Sequence, residues 1–533
     1  MACGCFVEEK EALMDIRASL TSAHAAAPPS WGRGDDCCSW ERVNCSRSTK
    51  RVTHLYLSKL YNNAKVPTPM FWRFNTSIFS AFPELQFLDL SDNYPSSLGF
   101  DGIHTKSYNL QELYLSNNYF NGSLPMSLLA LPRLKILDLS ENSLTGGIPI
   151  SSSSEPVSLE VLDLSSNNMN GSLPTEQAFQ HLMNLRELHL GWNKLSGNIS
   201  TFLLSLPHLE RLYLMGNLFE GSIPISPSSN ISLSFKGLDF SDNKLSGRLS
   251  FFWLRNLAKL EEIDLSWNTN LVVDVNVPGW VPPFQLKQLG LAGCHLDKGI
   301  IAEPHFLRTQ HHLQLLDLSN NNLSGSMPNW LFTNETTLVI LHLGNNLLTG
   351  SLIPIWHPQS ALGFFDISTN HIVGKLPANF SSIFPSLSIL DLSHNNFSGE
   401  IPMSLCHINH MQELDLSNNH FSGEMPACVF TDFPRLSILE ASNNHLGGCI
   451  PNSEQFSSFT MDSYQGNNNL RAMSKGNTCS PNSEVGDLPL EGSGSEAVDP
   501  VLCAISAASF VLAFWATVAF MFFHPLGQCV FVA

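Results

Sequence analysis

The sequence predicts an α/β solenoid. Short coils stack so that one strand of each lines a parallel concave sheet, mostly β with short 3-10 segments, with a helical N-terminal cap and a C-terminal transmembrane helix. Three observations predict it. The pattern L-x-x-L-x-L-S-x-N-x-L-x-G-x-I-P recurs every 24 to 27 residues through most of the chain. Ahead of it, Leu13, Ile16 and Leu20 fall at helical spacing behind an acidic first turn and lead into "DDCCSWERVNC". Behind it, Val501 to Phe523 carries no charge. A formal net charge of −18, with only 14% charged residues, leaves no basic stripe for a nucleic acid.

The domains follow in order: an N-terminal cap with cysteines at 1–52, about 16 coils at 53–452, a C-terminal cap at 453–480, an acidic juxtamembrane linker at 481–499, a membrane helix at 500–523 and a short cytoplasmic tail at 524–533. A solenoid exposes its core at both ends and needs such caps. In an extracellular protein the N-terminal one can be held by disulfides.

Within a coil, L-x-L is a strand that turns two leucines inward and one side chain outward. One coil cannot bury its own leucines, so neighbours stack and share a core. The anchor asparagine stands at Asn93, Asn118, Asn142, Asn167, Asn193, Asn217, Asn243, Asn268, Asn321, Asn346, Asn370, Asn395, Asn419 and Asn444, with Cys294 in its place in one coil. Turned inward, its amide satisfies backbone groups of the loop that leaves the strand; an unpaired buried polar group would cost about 1–3 kcal/mol. Glycine then permits a turn, and I-P begins an extended stretch. These are leucine-rich repeats. The G-x-I-P ending is similar to the plant-specific type, which carries a second short strand.

At about 1.5 Å per residue, 501–523 is long enough to span a hydrocarbon core of about 30 Å. The tail behind it has no Lys or Arg. "MACGCFVEEKEALMDIRASL" has neither a basic n-region nor an apolar h-region, so a secretory leader is expected upstream of this sequence. Sequons at Asn75, Asn121, Asn170, Asn198, Asn230, Asn322, Asn334, Asn379 and Asn396, with Asn44 hard against Cys45, point with the cap cysteines to the secretory pathway.

The cap, "WVPPFQLKQLGLAGCHL", "IPNSEQFSSFTMDSYQGNNNL" and "ISAASFVLAFWATVAFMFFHPLG" together resemble plant leucine-rich-repeat receptor-like proteins, which are single-pass and lack a kinase. The resemblance covers essentially the whole chain. It implies disulfides Cys5–Cys37 and Cys38–Cys45, with Cys3 a competitor for Cys5. It also implies signalling through a partner receptor kinase met in the membrane, and a role in defence, though some members act in development. Cys406 and Cys428, in adjacent coils, are expected to pair. The chain departs from the family where Arg471 rather than a cysteine follows Leu470, which leaves Cys479 with Cys449 as a substitute partner.

No catalytic set emerges. "HINH" at His407 to His410 lacks a third ligand, and "GSGS" near Gly492 follows no strand. No metal, cofactor or enzymatic activity is expected. Binding remains. The outward strand residue is most often Asp (Asp89, Asp138, Asp163, Asp239, Asp264, Asp317, Asp366, Asp391, Asp415), which forms a solvated acidic stripe. Departures from it mark the ligand face. "LRELHLGWN" and "LERLYLMGN" bring Glu187, His189 and Trp192 beside Arg211, Tyr213 and Met215, and Tyr114 and Trp267 extend the face. The ligand is a peptide, protein or glycan. The rival readings are a polygalacturonase-inhibitor-like protein and a truncated decoy without signalling.

Overall fold

Helix α1 (Val7–Ser22) opens the chain with Glu8 and Glu9 in its first turn, where the helix dipole favours negative charge. Its inward face is Ala12, Leu13, Ile16 and Leu20. Glu9 lies fully buried, accepting the Val52 amide at 3.2 Å and facing Arg51 at 3.5 Å. Burial raises its pKa, opposed by those two partners. This carboxylate ties the cap to the first repeat strand. Disulfides Cys5–Cys37 and Cys38–Cys45 close the cap. Trp31 and Trp40 stack at 6.3 Å, with their indole N–H groups on the Glu41 and Arg33 carbonyls.

This computed structural model describes residues 5–22, 25–60, 76–93, 109–149, 157–224, 231–352 (except 278, 298, 303 and 335), 357–426, 435–450, 461–473 and 479–484. The membrane helix and tail expected at 500–533, Cys428, Asn75 and Asn230 lie outside them. Among the described residues no helix is long and apolar enough to cross a membrane.

Strand β1 (Val43–Cys45) runs antiparallel to β2 (Val52–Tyr56), and from β2 onward every pairing in the 17-stranded sheet is parallel. The register is one residue for one residue. Leu88 meets Leu113, Leu137 meets Leu162, and so on to Leu414 against Leu439, each at most 1% exposed. Burying each such leucine contributes about 1.5–3 kcal/mol. A second, eight-stranded sheet follows the anchors, from Asn121–Ser123 to His295–Leu296. The turn inside its strands needs the left-handed region, as at Gly197 (φ 83°).

The anchor asparagines work across coils. Asn167 donates to the carbonyls of Leu164, Ser165 and, one coil earlier, Leu139, while its oxygen accepts the Leu144 amide of that earlier coil at 2.9 Å. The C-terminal cap expected from 453 contains one more rung: Asn467 accepts the Leu446 amide and donates to the Ala441 carbonyl. "QGNNNL" hid this rung because no L-x-L precedes it. Cys449 and Cys406 are both disulfide-bonded.

The ladder breaks at Cys294. Its thiol, pushed up to about 12 by burial, reaches the Leu265 carbonyl at 3.2 Å. The Asn321 side-chain oxygen in the next coil is buried with no hydrogen-bond donor. The second sheet stops there too and resumes at Ser324–Ser326 against Leu347–Thr349, while the concave sheet runs through unbroken.

Candidate functional site

Outward strand positions build the concave surface, and their chemistry is read off the register. Glu187 stands beside Arg211, and His189 beside Tyr213. Arg211 donates to Glu187 at 2.9 Å. His189 Nε2 lies 3.3 Å from Glu187, and its Nδ1 lies 3.6 Å from Asp163 in the coil before. The His189 and Tyr213 rings meet at 4.9 Å. Tyr213 passes over Gly237 to donate to Glu262 at 2.7 Å, two coils on. A side chain at Gly237 would meet the phenol oxygen at 2.9 Å, so glycine opens this path.

These residues form one hub of alternating charge. The adjacent His189 imidazole and the Arg211 charge outweigh burial and lower the Glu187 pKa. Burial pushes His189 down, but Glu187 and Asp163 outweigh it and raise its pKa. Burial and the Glu262 carboxylate push Tyr213 up, which keeps it a donor. The sequence places Glu187, His189, Arg211 and Tyr213 together, and the structure adds Glu262, whose signal is the missing outward side chain at Gly237.

The other named residues fall elsewhere. Met215 lies over Gly191, and Trp192 over Gly216, at the edge of the sheet beside the hub. Trp267 occupies the same edge position three coils on. Tyr114 belongs to a separate aromatic row toward the N-terminus, His54, Tyr56 and Phe87 being its partners: Tyr56 and Phe87 meet at 4.8 Å, and Phe87 and Tyr114 at 5.5 Å. The outward positions of "VTHLYLS" and "LQFLDLS" carry that row and were passed over. So was His342, held between Asp317 and Asp366.

The acidic stripe is a correction. It is not simply solvated surface: Asp89, Asp138, Asp163 and Asp239 each accept both the amide and the hydroxyl of the serine two residues on, closing the strand end. Asp317 and Asp366 are 1% and 7% exposed. Among the described residues no group of three or more metal-ligating side chains gathers.

One position before each strand, a rail of alternating charge crosses the coils. Lys135 pairs with Glu160, Glu160 with Arg186, Arg186 with Glu210, Glu210 with Lys236, and Glu261 with Lys287.

Comparison with known proteins fits this geometry. A leucine-rich-repeat N-terminal domain family matches residues 8–46, and leucine-rich-repeat families match 108–169, 181–199, 312–334, 386–408 and 410–431. The chain is 36% identical over 398 residues to Receptor-like protein 15 of Arabidopsis thaliana, covering 66% of this chain and 40% of that protein. With Receptor like protein 21 of the same plant it shares 34% over 412 residues, 66% of this chain and 41% of that one. It thus spans about two fifths of the length of these relatives. Among solved structures it is similar to the plant peptide hormone receptor RGFR1 in complex with RGF2, at 26% identity and a TM-score of 0.51, over 74% of this chain and 69% of that one.

Proposed function

We propose that this chain, a plant leucine-rich-repeat receptor-like protein, binds an extracellular ligand on its concave face and catalyses no reaction. The observation that carries the proposal is the hub: outward side chains of separate coils, tied to one another by hydrogen bonds and ion pairs, gather a half-exposed guanidinium and carboxylates around the buried Tyr213 ring on the concave face. Such preorganised Arg and Tyr anchors are what binding hot spots use. Relatives named as receptor-like proteins, and a similar receptor solved with a peptide hormone, support a ligand-binding role in general terms; the ligand proposed is a peptide, protein or glycan.

Signalling then passes to a partner receptor kinase through the apolar segment at 500–523, with the repeats outside the plasma membrane. Its alanines Ala504, Ala508, Ala513 and Ala516 would let a partner helix approach closely. Seven of the expected glycan acceptors, Asn121, Asn170, Asn198, Asn322, Asn334, Asn379 and Asn396, are exposed, which supports that topology. Defence is the proposed setting.

The test is an array of secreted-type peptides and oligosaccharides probed with the chain and with its Arg211→Ala and Tyr213→Ala variants. Ligands of the hub should bind the variants about tenfold or more weakly, while circular dichroism stays unchanged. If no ligand distinguishes the variants from the parent, the concave-face reading fails.

A further inference from the structure

Two tryptophans occupy one structural position in two coils. Trp192 and Trp267 are both left-handed (φ 55° and 60°) and stand one residue before the anchor. In each case the next coil carries glycine at the equivalent place, Gly216 and Gly293. A Cβ built on Gly216 would lie 2.6, 2.8 and 3.1 Å from Cε3, Cδ2 and Cζ3 of Trp192, and one on Gly293 would lie 2.8, 3.2 and 3.4 Å from Cε3, Cζ3 and Cδ2 of Trp267. Three ring atoms at nearly equal distance mean that the face of the indole, not its edge, rests on the glycine. The opposite face is left open: the two residues are 42% and 39% exposed. Three strand steps separate them, about 14 Å at ~4.8 Å each. Between them, beyond the Gly216 that backs the Trp192 ring, the same edge carries the exposed carboxylate of Asp242.

We infer that this edge is a platform for a neutral oligosaccharide, which deepens the ligand-binding reading above and rests on it. A flat, backed, open indole is the surface on which the C–H face of a pyranose ring stacks. Two of them spaced along one edge suit a stiff linear chain of several rings. A carboxylate between them accepts hydrogen bonds from sugar hydroxyls without needing a counter-charge. The net charge of −18 and the acidic strand positions repel an acidic polysaccharide, so the chain that fits is uncharged.

The probes are cello-oligosaccharides and N-acetylated chito-oligosaccharides, from dimer to hexamer, titrated calorimetrically and by tryptophan fluorescence. Oligogalacturonides serve as the charged control. Affinity should rise steeply at the length that reaches both rings and should be absent for the control. Trp192→Ala and Trp267→Ala should each lose about tenfold, one stacked face. Gly216→Ala should do the same, because its methyl group displaces the Trp192 ring. That backbone position accepts side chains in other coils, as at Asp92, Asn117 and Ser166, so the variant folds. Binding that ignores length, or ignores both tryptophans, overturns the platform. So does a peptide that binds the chain only when Trp192 is present. If the hexamers fail while other ligands still depend on Arg211 and Tyr213, the glycan assignment falls and the receptor reading stands. If both dependences are missing, both fall.

Discussion

His342 is a cation held between two carboxylates on the concave face. Its Nε2 lies 2.7 Å from Asp366 and its Nδ1 lies 3.5 Å from Asp317. Burial pushes its pKa down, but the two carboxylates outweigh burial and hold it well above the ordinary value. A raised folded pKa means that the stabilisation is complete below about pH 6.5 and is lost as pH rises through the folded value. Asp264 and Asp391 act with the same sign. Burial and neighbouring carboxylates push them up to about 8 and about 7, so their contribution is complete near pH 4 and fades as pH climbs through those values. Asp366, held down by His342 against burial, loses its contribution only in acid, as pH falls through its depressed value. The urea midpoint should therefore fall between about pH 5 and about pH 9. His342→Gln should flatten the part of that fall above about pH 6.5 and, by leaving buried carboxylates without their cation, lower stability near neutrality by about 3 kcal/mol. A variant with the parent's slope would show that His342 does not control it.

At the scale of a coil, the asparagine rung is the unit. Asn167→Leu removes three donated bonds and strands the Leu144 amide. Chemical denaturation should show a loss of about 1–3 kcal/mol, with exchange protection falling first in the coils on either side. An unchanged midpoint would refute the inward role of the rung. The rungs were legible because asparagine recurs beside L-x-L, and the strand faces were legible because L-x-L alternates. The hub was legible for a related reason: once strand register is one residue for one residue, outward letters in consecutive coils must be neighbours. The charge rail was not read, because its meaning appears only when lysines and glutamates about 25 residues apart are set side by side. Nor was the backing of Trp192, which depends on how an indole folds over a glycine in the next coil. His342 was not read for a different reason: as a letter it is one more variant in a run of aspartates, and only its place between Asp317 and Asp366 makes it a cation between two carboxylates.

Across the whole repeat array, the coil at Cys294 divides the rungs into Asn93–Asn268 and Asn321–Asn467. Cys294→Asn would supply donors for the carbonyls that asparagine reaches elsewhere. It should raise the denaturation midpoint and draw the unfolding of the two blocks, followed by exchange protection in each, toward a single transition. Identical unfolding of parent and variant would mean that the missing rung costs nothing. The interruption is one-sided, since the concave strands from Glu262–Asp264 through Gln288–Gly290 to Leu315–Asp317 stay paired while the bonds behind them lapse. In mechanical terms the array is a beam scored on one flange. Bending strain concentrates at such a score, so pulling or docking forces would flex the array between Asn268 and Asn321; the hub and Trp192, both on one side of that flexure, would be carried along undistorted, while Trp267, backed by Gly293, stands at its margin.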